Sequence, residues 1–342
     1  MATAARIQAR PGRPAAAVLA PAVDLSILIV NYNTQDLLRQ CLRSIYDVNP
    51  GMSFEVVVVD NASSDRSAEM VKREFPDAVL IRNTRNEGFS VANNIAMKAS
   101  RGKYVLLLNS DTIVVPGTLG RMVSFLEGNP DVGVAGCRLV RPSGELDFAC
   151  RRSFPTPMVS LTRLLRLNRI FPGSRFFGRY NLTFLDEKEN YEVDSIVGAF
   201  MLARRRVFEE VGGLDEDYFM YGEDVDWCYR IKQARWKVAY LGDSHVVHYK
   251  GASSRKESFR MNYHFHRAMY LFHTKHLSAR YPFVLNQVVY FGIFCRFALL
   301  AINHLVRVPL RWLAPSSWMG DRYACRCEML ADATVPESSL KS

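Results

Sequence analysis

Asp111, Asp224 and His248 are the residues of this chain whose types and settings suggest joint chemistry. Asp111 follows Tyr104-Val105-Leu106-Leu107-Leu108-Asn109-Ser110, a continuous apolar run that reads as a buried strand handing a carboxylate to its carboxyl end. Open α/β sheets bind ligands at such ends. If the ligand carries a pyrophosphate, a divalent cation is the obvious device for neutralising it, and Asp111 is a candidate to hold Mg2+ or Mn2+. His248 closes His245-Val246-Val247-His248 and is a candidate further ligand; the bland alternative is a half-buried histidine that merely hydrogen-bonds. Glu223 and Asp224 open a segment, 224–234, with the pattern of a helix, where capping alone would explain carboxylates. Tyr218-Phe219-Met220-Tyr221 and Trp227 flank them with aromatic surface, which suits a wall for a sugar and a partly dry setting for a general base.

The elements that must position these groups follow a repeating pattern. Leu25 to Val30 is a branched, apolar first strand ending in the polar loop Asn31-Tyr32-Asn33-Thr34. A helix follows, with Leu37, Leu38, Cys41, Leu42 and Ile45 at helical spacing. Phe54 to Val59 is a second strand closed by Asp60-Asn61-Ala62-Ser63-Ser64-Asp65, so Asp60 also stands at a strand end, as a turn former or as part of a shared crevice. Ala78–Arg82 and Tyr104–Asn109 are further strands around a helix at Phe89–Ala99; Pro116–Leu126 reads as a helix and Val132–Val140 as a strand. Residues 141–191 lose clean periodicity and carry Pro142, Pro155, Pro157 and Pro172, the mark of a functional insertion. Regular structure returns at Asp194–Ala203, with a helix over Arg204–Val211 and a strand over Lys237–Leu241. Alternation of this kind predicts a mainly parallel sheet covered on both faces. Neither Gly-x-Gly-x-x-Gly nor a P-loop follows any strand, which disfavours a dinucleotide fold and a P-loop NTPase.

Charge is distributed unevenly. The chain of 342 residues has 44 Lys and Arg against 34 Asp and Glu, a formal +10. Residues 148–185 contain no acid but seven arginines (Arg151, Arg152, Arg163, Arg166, Arg169, Arg175 and Arg179), and 258–320 are again acid-free. Basic charge interleaved with Leu, Phe, Tyr and Trp reads as a footprint for an anionic membrane surface rather than for nucleic acid, and no nucleic-acid partner is expected. Pro282 to Val306 has the length of a spanning helix, but Asn286, Gln287, Arg296, Asn303 and His304 favour one lying in the interface. Residues 1–23, rich in Ala, Pro and Arg, read as a disordered arm. The seven scattered cysteines form no disulfide framework, which fits a reducing cytoplasm, and Cys325 and Cys327 read as incidental tail thiols.

Taken in order, Ser26–Asn33, Val56–Asp65, Arg85-Asn86-Glu87-Gly88-Phe89-Ser90 with Asn93-Asn94, Leu106–Thr112, Val197–Phe200, Gly213–Glu216, Gly222–Trp227 and His245–Ser253 resemble the inverting family 2 glycosyltransferases of GT-A fold. The likeness covers residues 24–275 and is strongest to bacterial rhamnosyltransferases that build lipid-linked cell-wall or O-antigen precursors, with galactofuranosyltransferases as near relatives. It implies an open, twisted, mostly parallel α/β sheet with helices on both faces, its nucleotide half at 24–140 and acceptor half at 141–276. A basic, membrane-associating helical segment would follow at 277–320, and a tail at 321–342.

By the same resemblance, Asn31, Asn33, Asp60, Asn61, Asn86, Gly88, Asn94, Asn109, Ser110 and Asp111 form the nucleotide-sugar pocket, with Asp60 toward the nucleobase. Asp111 and His248 hold Mg2+ or Mn2+; Asp224, with Glu223 beside it, is the catalytic base; and Gly198, Tyr221 and Trp227 meet the acceptor. One departure stands out: the usual Asp-x-Asp is Asn109-Ser110-Asp111, with a single carboxylate. The implied reaction is metal-assisted single displacement with inversion, from dTDP-rhamnose to a polyprenyl-diphosphate-linked saccharide, by a peripheral enzyme on the cytoplasmic face of the plasma membrane. A transferase using a UDP-sugar, galactofuranosyl or other hexosyl, and a catalytically weak nucleotide-sugar-binding protein are the alternatives. A nucleotidyltransferase fits less well, because Asn31-Tyr32-Asn33-Thr34 is not a glycine-rich basic loop.

Overall fold

The computed structural model describes residues 23–48, 51–249 and 258–313. The N-terminal arm up to residue 22, positions 250–253 of the last family-like segment, and the tail with Cys325 and Cys327 lie outside them. One sheet of nine strands organises the described chain: β1 Val23–Asn31, β2 Phe54–Asp60, β3 Val79–Arg82, β4 Gly102–Asn109, β5 Thr112–Val114, β6 Val132–Val140, β7 Tyr191–Glu192, β8 Phe200–Arg204 and β9 Lys237–His248. Their spatial order is β3-β2-β1-β4-β8-β6-β9-β5, with β7 beside β9.

The first four strands are parallel, as alternation predicts. Leu25, Ile27, Leu28 and Ile29 of β1 and Val56–Val59 of β2 are buried whichever way they point, because helices cover both faces. On α1, Gln35–Val48, the residues Leu38, Cys41, Leu42 and Ile45 form the covering stripe. Each buried aliphatic side chain of this kind contributes about 1.5–3 kcal/mol. Helices α2 (Ser67–Glu74), α3 (Phe89–Ala99) and α4 (Thr118–Gly128) complete this half.

The second half departs from simple alternation. β8 runs antiparallel to both β4 and β6, and β5 antiparallel to β9, so the sheet is mixed. A buried apolar run reads the same in either direction, which is why the sequence pattern is silent on this. β9 also continues seven residues past its expected end at Leu241. The register against β6 jumps from Cys137↔Leu241 to Arg138↔His245, so Gly242-Asp243-Ser244 bulge out and interrupt the apolar pattern while the strand carries on. That continuation delivers His248 to the site.

Within the insertion, α5 (Pro157–Leu164) begins at a Thr156 cap and is followed by the single turn α6 (Leu167–Ile170). Arg151 and Arg152, expected in a surface footprint, turn inward instead. Arg151 is 1% exposed, donates to the carbonyls of Leu185 and Asp186, and lies over the Tyr240 ring. After α7 (Arg205–Val211) and α8 (Glu223–Gln233), the described residues finish with α9 (Ser258–Phe272), a π turn at His273–Leu277, and α10 (Phe283–Leu313). The π turn is latched to the sheet body: His276 Nε2 lies 2.5 Å from Asp226 Oδ1, and Lys275 Nζ reaches Asp215 and Asp217. Asn286, one of the polar residues weighed against a spanning α10, works internally, meeting His273 Nε2 at 2.8 Å and donating to Ser278 O. From Phe283 to His304 the helix is long and apolar enough to cross a bilayer, with only 6% of its most apolar stretch buried.

Candidate active site

The carboxyl ends of β1, β2 and β4 form one wall of a cleft of about 1480 Å³. Its framework is a set of amides that satisfy one another. Asn31 is fully buried; its Nδ2 donates to Asp60 Oδ1 and Ser63 Oγ, and its Oδ1 accepts from Thr34, whose hydroxyl also meets Ser110 Oγ at 2.9 Å. Asn31 and Asp60 therefore stand behind the wall and brace it. Asn33, Asn61 and Asn86 face the cleft. Asn61 Nδ2 donates to Asn86 Oδ1 and Gly88 O, while its Oδ1 accepts from Asn83 Nδ2 and the Glu87 amide. Gly88, at φ +86°, lets the backbone approach closely: a Cβ there would lie 2.5 Å from Phe219 O.

Besides Asn31 and Asp60, two further residues expected to contact ligand do not line the cleft. Asn94 does not face the cleft; it clamps the loop after α7, donating to Leu214 O and Glu216 and accepting from the Leu214 amide. Trp227 is 0% exposed, packed in the main core, with its indole N–H donated to Gly212 O. A buried Trp needs such a partner, and by composition it looks the same as an aromatic lining a sugar site.

Asn109, Ser110 and Asp111 line the cleft at the end of β4. Register brings His248 to them: Thr112 of β5 pairs with His248 of β9, and the Tyr249 amide donates to Asp111 O. His248 Nε2 lies 3.2 Å from Asp111 Oδ1, and its Nδ1 lies 3.7 Å from Asp147 Oδ2. Burial works against the charged imidazole, but the two carboxylates raise its pKa to about 9. Asp147 is a site residue that sequence reasoning missed. It is positioned by its own amide, which donates to Leu139 O, and nothing in its irregular neighbourhood singles it out.

The donor set fits a divalent cation. His248 Nδ1 is buried without a hydrogen bond while facing Asp147. A neutral imidazole with its proton on Nδ1, toward Asp147, would leave the Nε2 lone pair beside Asp111, the usual arrangement of a metal-binding histidine and its supporting carboxylate. Among the described residues no group of three or more such side chains forms a closed cage, so other ligand positions would fall to the donor or to water.

On the opposite side, Tyr221 and Gly222 are consecutive left-handed residues, and their kink starts α8 with Glu223 and Asp224 facing the cleft. The Asp224 carboxylate is held on three sides. Oδ2 accepts from Arg152 Nη2 at 2.6 Å and from the Gly198 amide at 3.2 Å, and Oδ1 accepts from the Val225 amide. Burial opposes the Arg152 charge, yet Asp224 beside it raises the guanidinium pKa overall. Arg152 is the second residue missed, concealed among seven basic residues. Glu223 is buried, its Oε2 has no hydrogen-bond partner, and burial followed by the Asp224 charge pushes its pKa up to about 8. Tyr221 and Gly198 line the cleft.

An open α/β sheet that offers Asp111 and His248 at its strand ends, facing a carboxylate pair across one cleft, is the arrangement of a GT-A glycosyltransferase. The sequence profile of Glycosyl transferase family 2 matches residues 26–212. The chain belongs to that family.

It is 26% identical over 259 residues to an N-acetylglucosaminyl-diphospho-decaprenol L-rhamnosyltransferase of Mycobacterium tuberculosis, covering 72% of this chain and 83% of that one. Rhamnosyltransferase WbbL of Escherichia coli is 25% identical over 239 residues, or 67% and 84% of the two chains. The O-antigen biosynthesis protein RfbC of Myxococcus xanthus is 28% identical over 68% of this chain, which spans only 18% of that relative. The fold is shared with the mannosyltransferase PcManGT of Pyrobaculum calidifontis, solved with GDP-Man and Mn2+, at a TM-score of 0.52 and 18% identity over 88% of this chain and 84% of that one.

Proposed function

We propose that this glycosyltransferase moves a sugar, rhamnose from dTDP-rhamnose, with inversion onto a lipid-linked saccharide at the cytoplasmic face of a membrane, in the assembly of cell-wall or surface polysaccharide. The observation that carries this reading is the single cleft, which runs from Asn33, Asn61 and Asn86 past Asp111 and His248 to Asp224, then opens between α5 and α10. The rhamnosyltransferase relatives support the choice of sugar, and the decaprenol in one of their names supports a lipid-linked acceptor. The exposed apolar side of α10, with Phe283, Val284, Phe291 and Phe294, supports contact with a membrane.

In this mechanism Asp224 takes the proton of an acceptor hydroxyl about 3 Å away. The hydroxyl oxygen bonds to the anomeric carbon as the bond from that carbon to the nucleoside diphosphate breaks on the opposite face, so configuration inverts. Arg152 and the Gly198 amide hold Asp224 Oδ2 and fix the direction of the carboxylate. Glu223, with its pKa pushed up to about 8, is protonated at neutral pH and keeps a second negative charge away from Asp224. Asp111 and His248 are the residues that would hold Mg2+ or Mn2+, whose chemistry is to neutralise the departing diphosphate.

A second reading, a nucleotide-sugar-binding protein with weak turnover, is favoured by Asn109 standing where the family motif has a carboxylate. A thermal-shift screen of dTDP-, UDP- and GDP-sugars with and without Mn2+ tests the donor, since a ligand that binds only the folded state raises stability with its affinity. The expected result is the largest shift with dTDP-rhamnose plus Mn2+; a UDP-sugar in first place would overturn the rhamnose assignment. Release of nucleoside diphosphate by the wild type, abolished in Asp224→Asn, would remove the non-catalytic reading.

A further inference from the structure

Beyond Asp224 the cleft changes character: among the described residues, three of the arginines that line it, Arg163, Arg166 and Arg296, have no acid to answer them, and two of these are stacked on aromatic rings. Arg163 projects from α5 and stacks over the Tyr180 ring at 3.8 Å. Arg296 projects from α10, half-buried, over the Phe265 ring at 5.4 Å, with Nη1 3.8 Å from Met269 Sδ. Both line the cleft. Among the described residues neither guanidinium has a carboxylate within ion-pair distance, in contrast to Arg152, which is paired with Asp224 at 2.6 Å. The two also repel each other: burial, then the charge of Arg163, lowers the Arg296 pKa. Their surroundings are apolar, with Met158, Leu161 and Leu164 on α5 and Leu285, Val288 and Ile293 on α10.

Arg163 is exposed and Arg296 half-buried, so water answers part of each charge, and an anion lying between the two like charges would answer both at once. A guanidinium's planar fork of donors matches phosphate oxygens, and stacking on Tyr180 and Phe265 holds both forks in place. The groove behind them is exposed and greasy: Met158, Leu164 and Leu299 are each more than half exposed. A free anion would use the charges and leave this apolar wall in water. A neutral lipid would use the wall and leave the charges unanswered. A diphosphate esterified to an isoprenoid uses both.

We infer that Arg163 and Arg296 together bind the diphosphate of a lipid-linked acceptor, and that the apolar groove between α5 and α10 receives its isoprenoid chain. This rests on the transferase reading above and assigns, within the same cleft, the residues that hold the acceptor's diphosphate and its lipid. The saccharide attached to that diphosphate would then extend toward Asp224, which lines the same continuous space. Gly292 of α10 also lines the groove, and a Cβ at that position would meet nothing within 4 Å, so the wall is left open there.

The test is calorimetric titration of the full chain, in EDTA, with farnesyl diphosphate, farnesol and inorganic pyrophosphate as probes. Farnesyl diphosphate is expected to bind at least tenfold more tightly than either of the others. Arg163→Gln with Arg296→Gln should weaken it tenfold or more, and the double Lys variant should restore part of the loss. Gly292→Phe, which fills open space in a helix, should weaken farnesyl diphosphate but not pyrophosphate. Circular dichroism and melting certify that each variant is folded. Equal binding of farnesyl diphosphate by wild type and the double Gln variant would overturn the assignment, as would its being matched by pyrophosphate. These outcomes are separable from failure of the underlying reading, which would appear as a wild-type enzyme that releases no nucleoside diphosphate from any nucleotide sugar.

Discussion

The two walls of the cleft are made of opposite materials. The proposed donor side is a lattice of neutral amides, Asn31, Asn33, Asn61 and Asn86, closed by hydrogen bonds and backed by a parallel half-sheet buried on both faces. The acceptor side is charged or apolar: Asp224 tied to Arg152, Glu223 with an unanswered oxygen, two opposed arginines, and helices whose large side chains face outward. A largely neutral lattice cross-linked by hydrogen bonds gives a rigid mould, and removing one member leaves buried partners stranded. The second wall concentrates charge around Asp224. Substitutions on the first wall should cost stability and donor affinity together, whereas those on the second should cost activity or substrate choice.

The largest expected effect is on turnover. Asp224→Asn should lower kcat by about 10²–10⁴-fold, the range for loss of a positioned base, while the melting-temperature shift caused by the nucleotide sugar persists. Loss of that shift along with activity would blur the distinction between the walls. Asn61→Ala should do the reverse, destabilising the fold by about 1–3 kcal/mol through the stranded Asn83, Asn86 and Gly88 groups. Denaturant unfolding checks the first part, and donor titration should show a weaker fit in parallel.

A pH series sharpens the contrast further. Glu223 has a folded-state pKa of about 8, above its ordinary value of 4.5, so the folded state binds the extra proton between those values. Its contribution to stability is fully present below pH 4.5 and is lost as pH rises through about 8. Glu223→Gln should therefore gain in melting temperature relative to wild type as pH climbs across that window. A difference that stays constant with pH would mean that Glu223 ionises normally. The smallest effect on folding is expected at the outer face of α10, where Phe291→Glu with Phe294→Glu should change stability by no more than about 0.5 kcal/mol per site. The same pair should reduce flotation with anionic liposomes, and unchanged flotation would remove that face from any membrane contact.

The two walls also differ in how far they can be read from the amino acids alone. Leu25–Val30, Val56–Val59 and Tyr104–Asn109 announce buried parallel strands because both of their faces must be apolar, and the polar groups that follow each run mark the ligand side. Asp111, His248 and Asp224 do meet in one cleft. The direction of β8 was not legible, since a hydrophobic run carries no arrow, and the Gly242-Asp243-Ser244 bulge made a continuous strand look finished. Trp227 shows that an aromatic near an acid can belong to the core as easily as to a sugar site. Arg152 and Asp147 were invisible for a different reason. Their roles are set by partners far along the chain, 72 positions away for Arg152 and Asp224, and no local pattern encodes that.

The latch between the π turn and α8 gives the molecule a lever. His276 grips Asp226, two residues from Asp224, while His273 grips Asn286 on α10. The helix that starts with the proposed base and the helix that presents its greasy side outward are thus joined through a four-residue span with a ring at each end. Any surface that receives α10 would set the tilt and height of the whole reaction centre above it, much as a gauge rod sets a cutting depth, so the vertical reach of the enzyme is written into His273 and His276.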